Sequence, residues 1–408
     1  MADKLLNEWR SRIIFILLVI MMAAVFFSRV LLSASMIIFI LVSFLHINFK
    51  KQLSVFFSSP LLLGMSLLFF LPVLSGLWSQ QEEQWTDIVR IKLPLFFMPL
   101  AFASPFGFSK RDWGKLIILF IVFVTTGTLW STAIYLSTIN AVNENYLHSQ
   151  IIITPLLNDH VRFSWMVCMA ILLALWQFSG KKEKENKISW VWLITTIWLI
   201  IFLHILAART GLFSFYLIIL LASLWFILKK LKPFYGVLLF ALFLALPVAA
   251  YYILPTFHNR VKYFLYDLPY FSKRHYKTGM NDAVRIISMK AGWDVMNKNP
   301  AAGVGFGDVL TETKKWYAAN YPQMTESDKI YPGNEWLMYG AGCGWPGFLL
   351  FSIIMTIPIT LKRMKHQWLW YMLNVTAAFI FAFDIGLEIQ FGVFVYSFMV
   401  LWWWKWLQ

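Results

Sequence analysis

WVWLITTIWLIIFLHILA, from Trp190 to Ala207, carries no Lys, Arg, Asp or Glu. Apolar runs of about 17 to 25 residues have the length that crosses a hydrocarbon layer of roughly 30 Å. Arg209 follows this one at once, and the next run, about Leu212 to Leu228, ends at Lys229, Lys230 and Lys232. Comparable runs closed by short charged loops recur along the chain. Its 408 residues are 60% hydrophobic, 18% aromatic and 13% charged, whereas soluble domains carry about twice that charged fraction. The composition predicts an all-α polytopic membrane protein.

The net charge of +15 does not point to nucleic acid once the cations are located. Lys4, Arg10 and Arg12, Lys50 and Lys51, Lys110, Arg111 and Lys115, the run KKEKENK (Lys181 to Lys187), Lys229 to Lys232, and Lys362, Arg363 and Lys365 fall at alternate ends of the apolar runs. Outside the long insert, the opposite side holds only Arg29, Arg90, Lys92, Arg162 and Arg209. Basic residues gather on the cytoplasmic side. This asymmetry predicts about 12 transmembrane helices with both termini cytoplasmic. Residues 1–255 hold spans one to nine, 256–335 a helical insert on the outer face, and 336–408 spans ten to twelve. The third span is expected at about Val55 to Leu77. The fourth is atypical, interrupted by Arg90, Lys92, Pro94 and Pro99. Cys168 and Cys343 form neither a disulfide framework nor a metal-ligand spacing and read as small packing residues.

The insert holds NDAVRIISMKAGWDVMNKNPAAGVGFGD (Asn281 to Asp308) and leads into YPGNEWLMYGAGCGWPGF (Tyr331 to Phe348). Asp282 is placed to cap a helix on which Val284, Ile287, Ala291 and Val295 recur at helical spacing, ended by Asn299 and Pro300. Gly303, Gly305 and Gly307 then make a turn whose backbone permits close approach. A dinucleotide-binding reading fails there because no strand precedes it. The glycines from Gly340 onward equally suit close helix contacts.

Ionisable residues in or at the mouth of a membrane span are costly and therefore candidates for function. Arg162 in NDHVRFSW, Arg209 in AARTGLF, Arg285 and Glu388 stand out, with no obvious sequence-adjacent acid for the arginines. A guanidinium stays charged and presents a planar fork of donors, so arginines converging on one face suit a diphosphate or other polyanion. His160, His258 and His275 lie on the same outer side as possible proton carriers.

DHVRFS, ARTGLF, Arg285 followed by NPAAGVGFG, and NEWLMYGAGCGWPGF together resemble the O-antigen ligase and polymerase-related superfamily of membrane glycosyltransferases. The resemblance covers roughly Asn158 to Phe351, and LEIQFGVFVYSF (Leu387 to Phe398) is also similar. It implies a GT-C-like, metal-independent, inverting enzyme of the bacterial inner membrane that needs no cofactor and works at the periplasmic face. Its donor is an undecaprenyl diphosphate-linked glycan drawn from the membrane, and its acceptor a hydroxyl of lipid A-core or of another glycan. By the same resemblance Arg209 and Arg285 hold the donor diphosphate and stabilise the leaving group. Arg162, Asn334, Glu335, Gly303, Gly305 and Gly307 belong to the substrate site.

The family's histidine before the Asn of the re-entry motif is replaced by Gly333, which has no side chain to take a proton. The chain then reads as a substituted, inactivated form, or as a natural member that uses another group, Glu335 being the nearest carboxylate; the substituted form is favoured because the surrounding motif is intact. Extension of a polysaccharide on the same carrier is the alternative reaction. A transporter is the alternative of another class, disfavoured because the halves do not repeat.

Overall fold

A computed structural model describes residues 2–46, 48–148, 150–156, 158–179, 187–228, 233–271, 276–364 and 367–408. Lys181 to Glu185, Lys229, Lys230, Lys232, His275 and Lys365, used above to orient the chain or as candidates, lie outside the described residues. Among those described, every regular element is helical. The helices are α1 (Ala2–Phe27), α2 (Arg29–Phe44), α3 (Phe49–Ser58), α4 (Pro60–Ser75), α5 (Glu82–Lys92), α6 (Pro94–Phe102), α7 (Lys110–Ser137), α8 (Ile139–Asn145) and α9 (His160–Ser179). They continue with α10 (Lys187–Leu206), α11 (Arg209–Leu228), α12 (Pro233–Ile253), α13 (Pro255–Asp267), α14 (Asn281–Lys298), α15 (Val309–Asn320), α16 (Glu335–Thr360), α17 (Trp368–Phe381) and α18 (Gln390–Leu407).

Six of the described helices are long and apolar enough to cross a membrane: α1 from Glu8, α7, α9, α11, α12 and α16. The bent pair of α2 and α3 makes a seventh if it is one span, and α4, α17 and Trp190–Leu206 of α10 are apolar but shorter. The chain is a helical membrane protein. Two expected spans are divided, and proline is the reason in both. The third breaks between Ser58 and Pro60, and the fourth becomes α5 and α6 at Leu93 and Pro94. Proline lacks the N–H that would continue a helix but suits the first turn of a new one.

The chain falls into two compact units, residues 1–113 with 267–408, and residues 114–266. In the second unit α9 is buried along most of its length, with α10 and α11 packed against it, while α12 leaves Tyr252 and Ile253 bare. A bare apolar face costs nothing where lipid tails replace water. Close approach of α9 and α11 depends on Gly211, where an added Cβ would meet the Ser164 side chain at 2.3 Å.

In the first unit α16 runs against α4 and α14, and α18 against α6. Val284, Ile287 and Ala291 of α14 join Tyr317, Tyr321 and Met324 in a small core of their own. The helix expected there is present, but its capping is not as expected. Met280 occupies the cap position without a side-chain bond. Asp267 supplies the acceptor instead, its Oδ2 receiving the backbone N–H groups of Asp282 at 2.9 Å and Ala283 at 3.4 Å.

Candidate functional site

In the second unit the helix starts of α9 and α11 lie side by side, since Ser164 and Gly211, each two residues inside its helix from Arg162 and Arg209, are in contact. Cys168 Sγ donates to Gly211 O at 3.2 Å across the same seam. Both helices are entered through residues forced into the left-handed region, Asn158 (φ 69°) before α9 and Ala207 (φ 47°) before α11. Such conformations cost on the order of 1–3 kcal/mol and cluster at functional sites.

Arg162 does face an acid close in sequence, contrary to the expectation. The carboxylate of Asp159 accepts from its backbone N–H at 3.1 Å and from its Nη1 at 3.3 Å, and both side chains are largely buried. Arg209 lies 5.8 Å from the ring centroids of Tyr263 and Phe264. Arg260, which sequence reasoning passed over, sits 5.6 Å from the same Tyr263 ring. Two guanidinium groups thus share one buried tyrosine; the sequence signal was the spacing of Arg260 and Tyr263, one turn apart on α13. Of the histidines expected on the outer side, His160 begins α9, and the His258 ring lies 4.4 Å from that of Tyr251.

In the first unit the candidate residues surround the start of α16. Asn334 is its N-cap, accepting from Leu337 N–H at 3.1 Å, and its Nδ2 donates to Ala382 O at 2.8 Å. Asn fills this place because its amide oxygen satisfies an otherwise orphaned helix N–H. Arg285 reaches the same connection between α17 and α18, donating from Nη1 to Phe383 O at 3.1 Å and lying 3.6 Å from the Asp384 carboxylate. Its side chain stays 39% exposed, so it combines a fixed guanidinium with an open face.

Gly333 is buried beside Arg285. Its N–H donates to Ser288 Oγ at 3.0 Å, and Ser288 donates in turn to Arg285 O at 2.7 Å. An added Cβ would meet Ser288 Oγ at 3.1 Å and Arg285 atoms from 3.7 Å. Position 333 therefore aims at the backbone of the arginine turn. Glu335, two residues on, is fully buried, and its Oε1 accepts from Leu387 N–H.

Behind this lies a buried charge cluster. Lys92, also fully buried, donates to Glu388 Oε1 at 2.6 Å, to Leu387 O at 3.0 Å and to Tyr339 Oη at 3.4 Å. Its Nζ stands 4.9 Å from the Tyr339 ring and 5.4 Å from that of Phe306. Glu388 is therefore an internal partner for Lys92. The phenol of Tyr331, at the mouth of this region, is pushed up to about 12 by burial, with the Glu388 and Asp87 carboxylates adding to the shift.

The glycine turn approaches the chain itself. Gly303 (φ 68°) and Gly305 (φ 85°) adopt conformations that disfavour any side chain. A Cβ on Gly303 would lie 2.4–2.5 Å from backbone atoms of Ala341, Gly342 and Cys343, and one on Gly305 or Gly307 would strike Ser79 or Gln81. Val304 N–H and Gly305 N–H donate to Ala341 O and Gly342 O, each at 2.9 Å. The turn thus braces α16 where that helix breaks, at Cys343 and Gly344.

Residues 194–352 match a family model described as O-antigen ligase. This segment is similar to the O-antigen ligase family. No curated protein matches the chain. The matched residues take in Arg209, Arg285, the turn from Gly303 to Gly307, and Gly333 to Glu335, while Arg162, Lys92, Asp384 and Glu388 lie outside them. That family implies a lipid-linked glycan and an acceptor in the membrane.

Proposed function

We propose that this protein is a metal-independent, inverting glycosyltransferase that moves a glycan from undecaprenyl diphosphate to a hydroxyl of lipid A-core. The observation that carries the reading is the O-antigen ligase match over 194–352, which contains Arg209, Arg285 and the motif around Gly333. In this reading the chain has twelve spans of a GT-C-like arrangement in the bacterial inner membrane, both termini are cytoplasmic, and the site opens to the periplasm. No cofactor is required.

The acceptor oxygen attacks the anomeric carbon from the face opposite the diphosphate, and the bond from that carbon to the diphosphate oxygen breaks with inversion. Arg209 and Arg285 meet the charge released on the diphosphate. Preorganised donors stabilise such charge better than water because they need not reorient. The half-open guanidinium of Arg285, fixed by Phe383 O and Asp384, suits that role. Arg162, Asn334, Glu335 and the glycines contribute by shaping the site. The acceptor proton requires a base, and Gly333 offers none. The chain is on this reading an inactivated form with an otherwise intact donor site.

The test is transfer in proteoliposomes with carrier-linked glycan and lipid A-core, comparing the chain with its Gly333→His variant. Glycosylated lipid A-core from the variant supports the ligase reading. Longer carrier-linked chains without any lipid A product refute it in favour of a polymerase.

A further inference from the structure

Both bonding partners of the Arg285 guanidinium noted above, Phe383 O and the Asp384 carboxylate, belong to the segment from Ala382 to Glu388. That segment is held in turn from the interior. Asn334 binds Ala382 O, Glu335 accepts from Leu387 N–H, and Lys92 binds Leu387 O and Glu388. Lys92 and Glu335 are both fully buried, so in this structure neither meets a substrate in the aqueous phase. Gripping a connecting segment by its backbone N–H and C=O fixes its path whatever its own side chains are, and buried charge-assisted hydrogen bonds are the strong ones.

We propose that Glu335 and Lys92 are positioning residues that act on the donor site through the 382–388 segment by holding Asp384 and Phe383 where they orient Arg285. The proposal rests on the reading that Arg285 binds the donor diphosphate. It assigns Glu335 neither the base's part nor direct contact with substrate. It also gives the buried ion pair of Lys92 and Glu388 a purpose at a distance. An error of about 1 Å in a clamp of this kind is enough to lower activity substantially.

The experiment is a double-mutant cycle on the full chain in nanodiscs, with undecaprenyl diphosphate as the probe and thermal unfolding as a check that each variant is folded. Arg285→Ala should weaken binding about tenfold. Glu335→Ala should weaken it by a similar factor in the parent chain yet add almost nothing when Arg285 is already Ala, because in this proposal the segment acts on the diphosphate through Arg285. Glu335→Gln, whose amide oxygen still accepts from Leu387 N–H, should recover most of the lost binding. Should Glu335→Ala fail to fold, the paired change Lys92→Met with Glu388→Met removes both buried charges together and enters the same cycle. Equal losses with and without Arg285 overturn the positioning role, since a general structural defect is additive. If Arg285→Ala alone leaves binding intact, the diphosphate reading itself fails, and this inference with it.

Discussion

Gly333→His is the perturbation that separates a missing base from a misassigned site. A Cβ at this position meets one tight neighbour, Ser288 Oγ at 3.1 Å, with the next atoms at 3.7 and 3.8 Å. Gly333 is absent from the positive-φ glycines, so a side chain meets no left-handed penalty. Shifting Ser288 by a few tenths of an ångström weakens the bond from Gly333 N–H, at a cost of about 1 kcal/mol. Removing a glycine returns about 0.4–1 kcal/mol by restricting the unfolded chain. The backbone and Cβ should therefore account for less than about 1 kcal/mol of any change in stability. A positioned general base is worth about 10²–10⁴ in rate, or about 3–5 kcal/mol of barrier. The assay is initial transfer rate in proteoliposomes at saturating donor, with unfolding temperature measured on the same preparations. A variant as stable as its parent and no faster would refute the assignment of position 333 to proton transfer.

Gly303→Ala should be far worse than any small change at Gly333. A left-handed alanine costs about 1–2 kcal/mol and the two bonds to Ala341 O and Gly342 O about 1 kcal/mol each, so a loss of about 3 kcal/mol or more is expected in thermal unfolding. Lys92→Met strands Glu388 in the interior and should cost about 3–5 kcal/mol, while adding Glu388→Met should restore much of it; an undiminished loss in the double variant would show that packing, not charge, is at stake. Glu326, exposed beside Lys329 and Lys314, is held below its usual range chiefly by its hydrogen bond to Lys329. A lowered folded value stabilises above the ordinary carboxylate range and loses that contribution as pH falls through it. Glu326→Gln should thus slightly destabilise at neutral pH and become neutral in acid, as read from unfolding against pH.

What could be read from the sequence was what repeats locally. Apolar length gave α1, α7, α9, α11, α12 and α16, and helical spacing gave α14 with its buried Val284, Ile287 and Ala291. The division of the third and fourth spans was written in Pro60 and Pro94, but continuous hydropathy masked the first break. The pairing of Arg162 with Asp159 has a local signature, an acid just before a helix whose carboxylate accepts from the backbone N–H three residues on. Lys92 and Glu388 could not be matched in advance, because nothing local says which distant acid a buried lysine will meet. For the same reason Asp267 was invisible as the cap of α14. The glycines of the turn were legible as a need for unusual backbone, though not the surface they would press against.

The break in α16 has a consequence for chain length. Trp345 N–H, which in an unbroken helix would serve Ala341 O, goes instead to Pro300 O at 2.9 Å. Gly342 O has no donor of its own four residues on, because Pro346 lacks an N–H. Val304 and Gly305 supply both carbonyls from the insert. Inside a membrane protein these groups have little water to fall back on, so the three bonds must be kept together. The spacing from Pro300 to Gly305 is therefore a ruler: adding or removing one residue there would slide the insert past the helix and leave backbone groups on both sides without partners. A length change in the insert should therefore be tolerated only away from the stretch between Pro300 and Gly305, which ties the insert to α16.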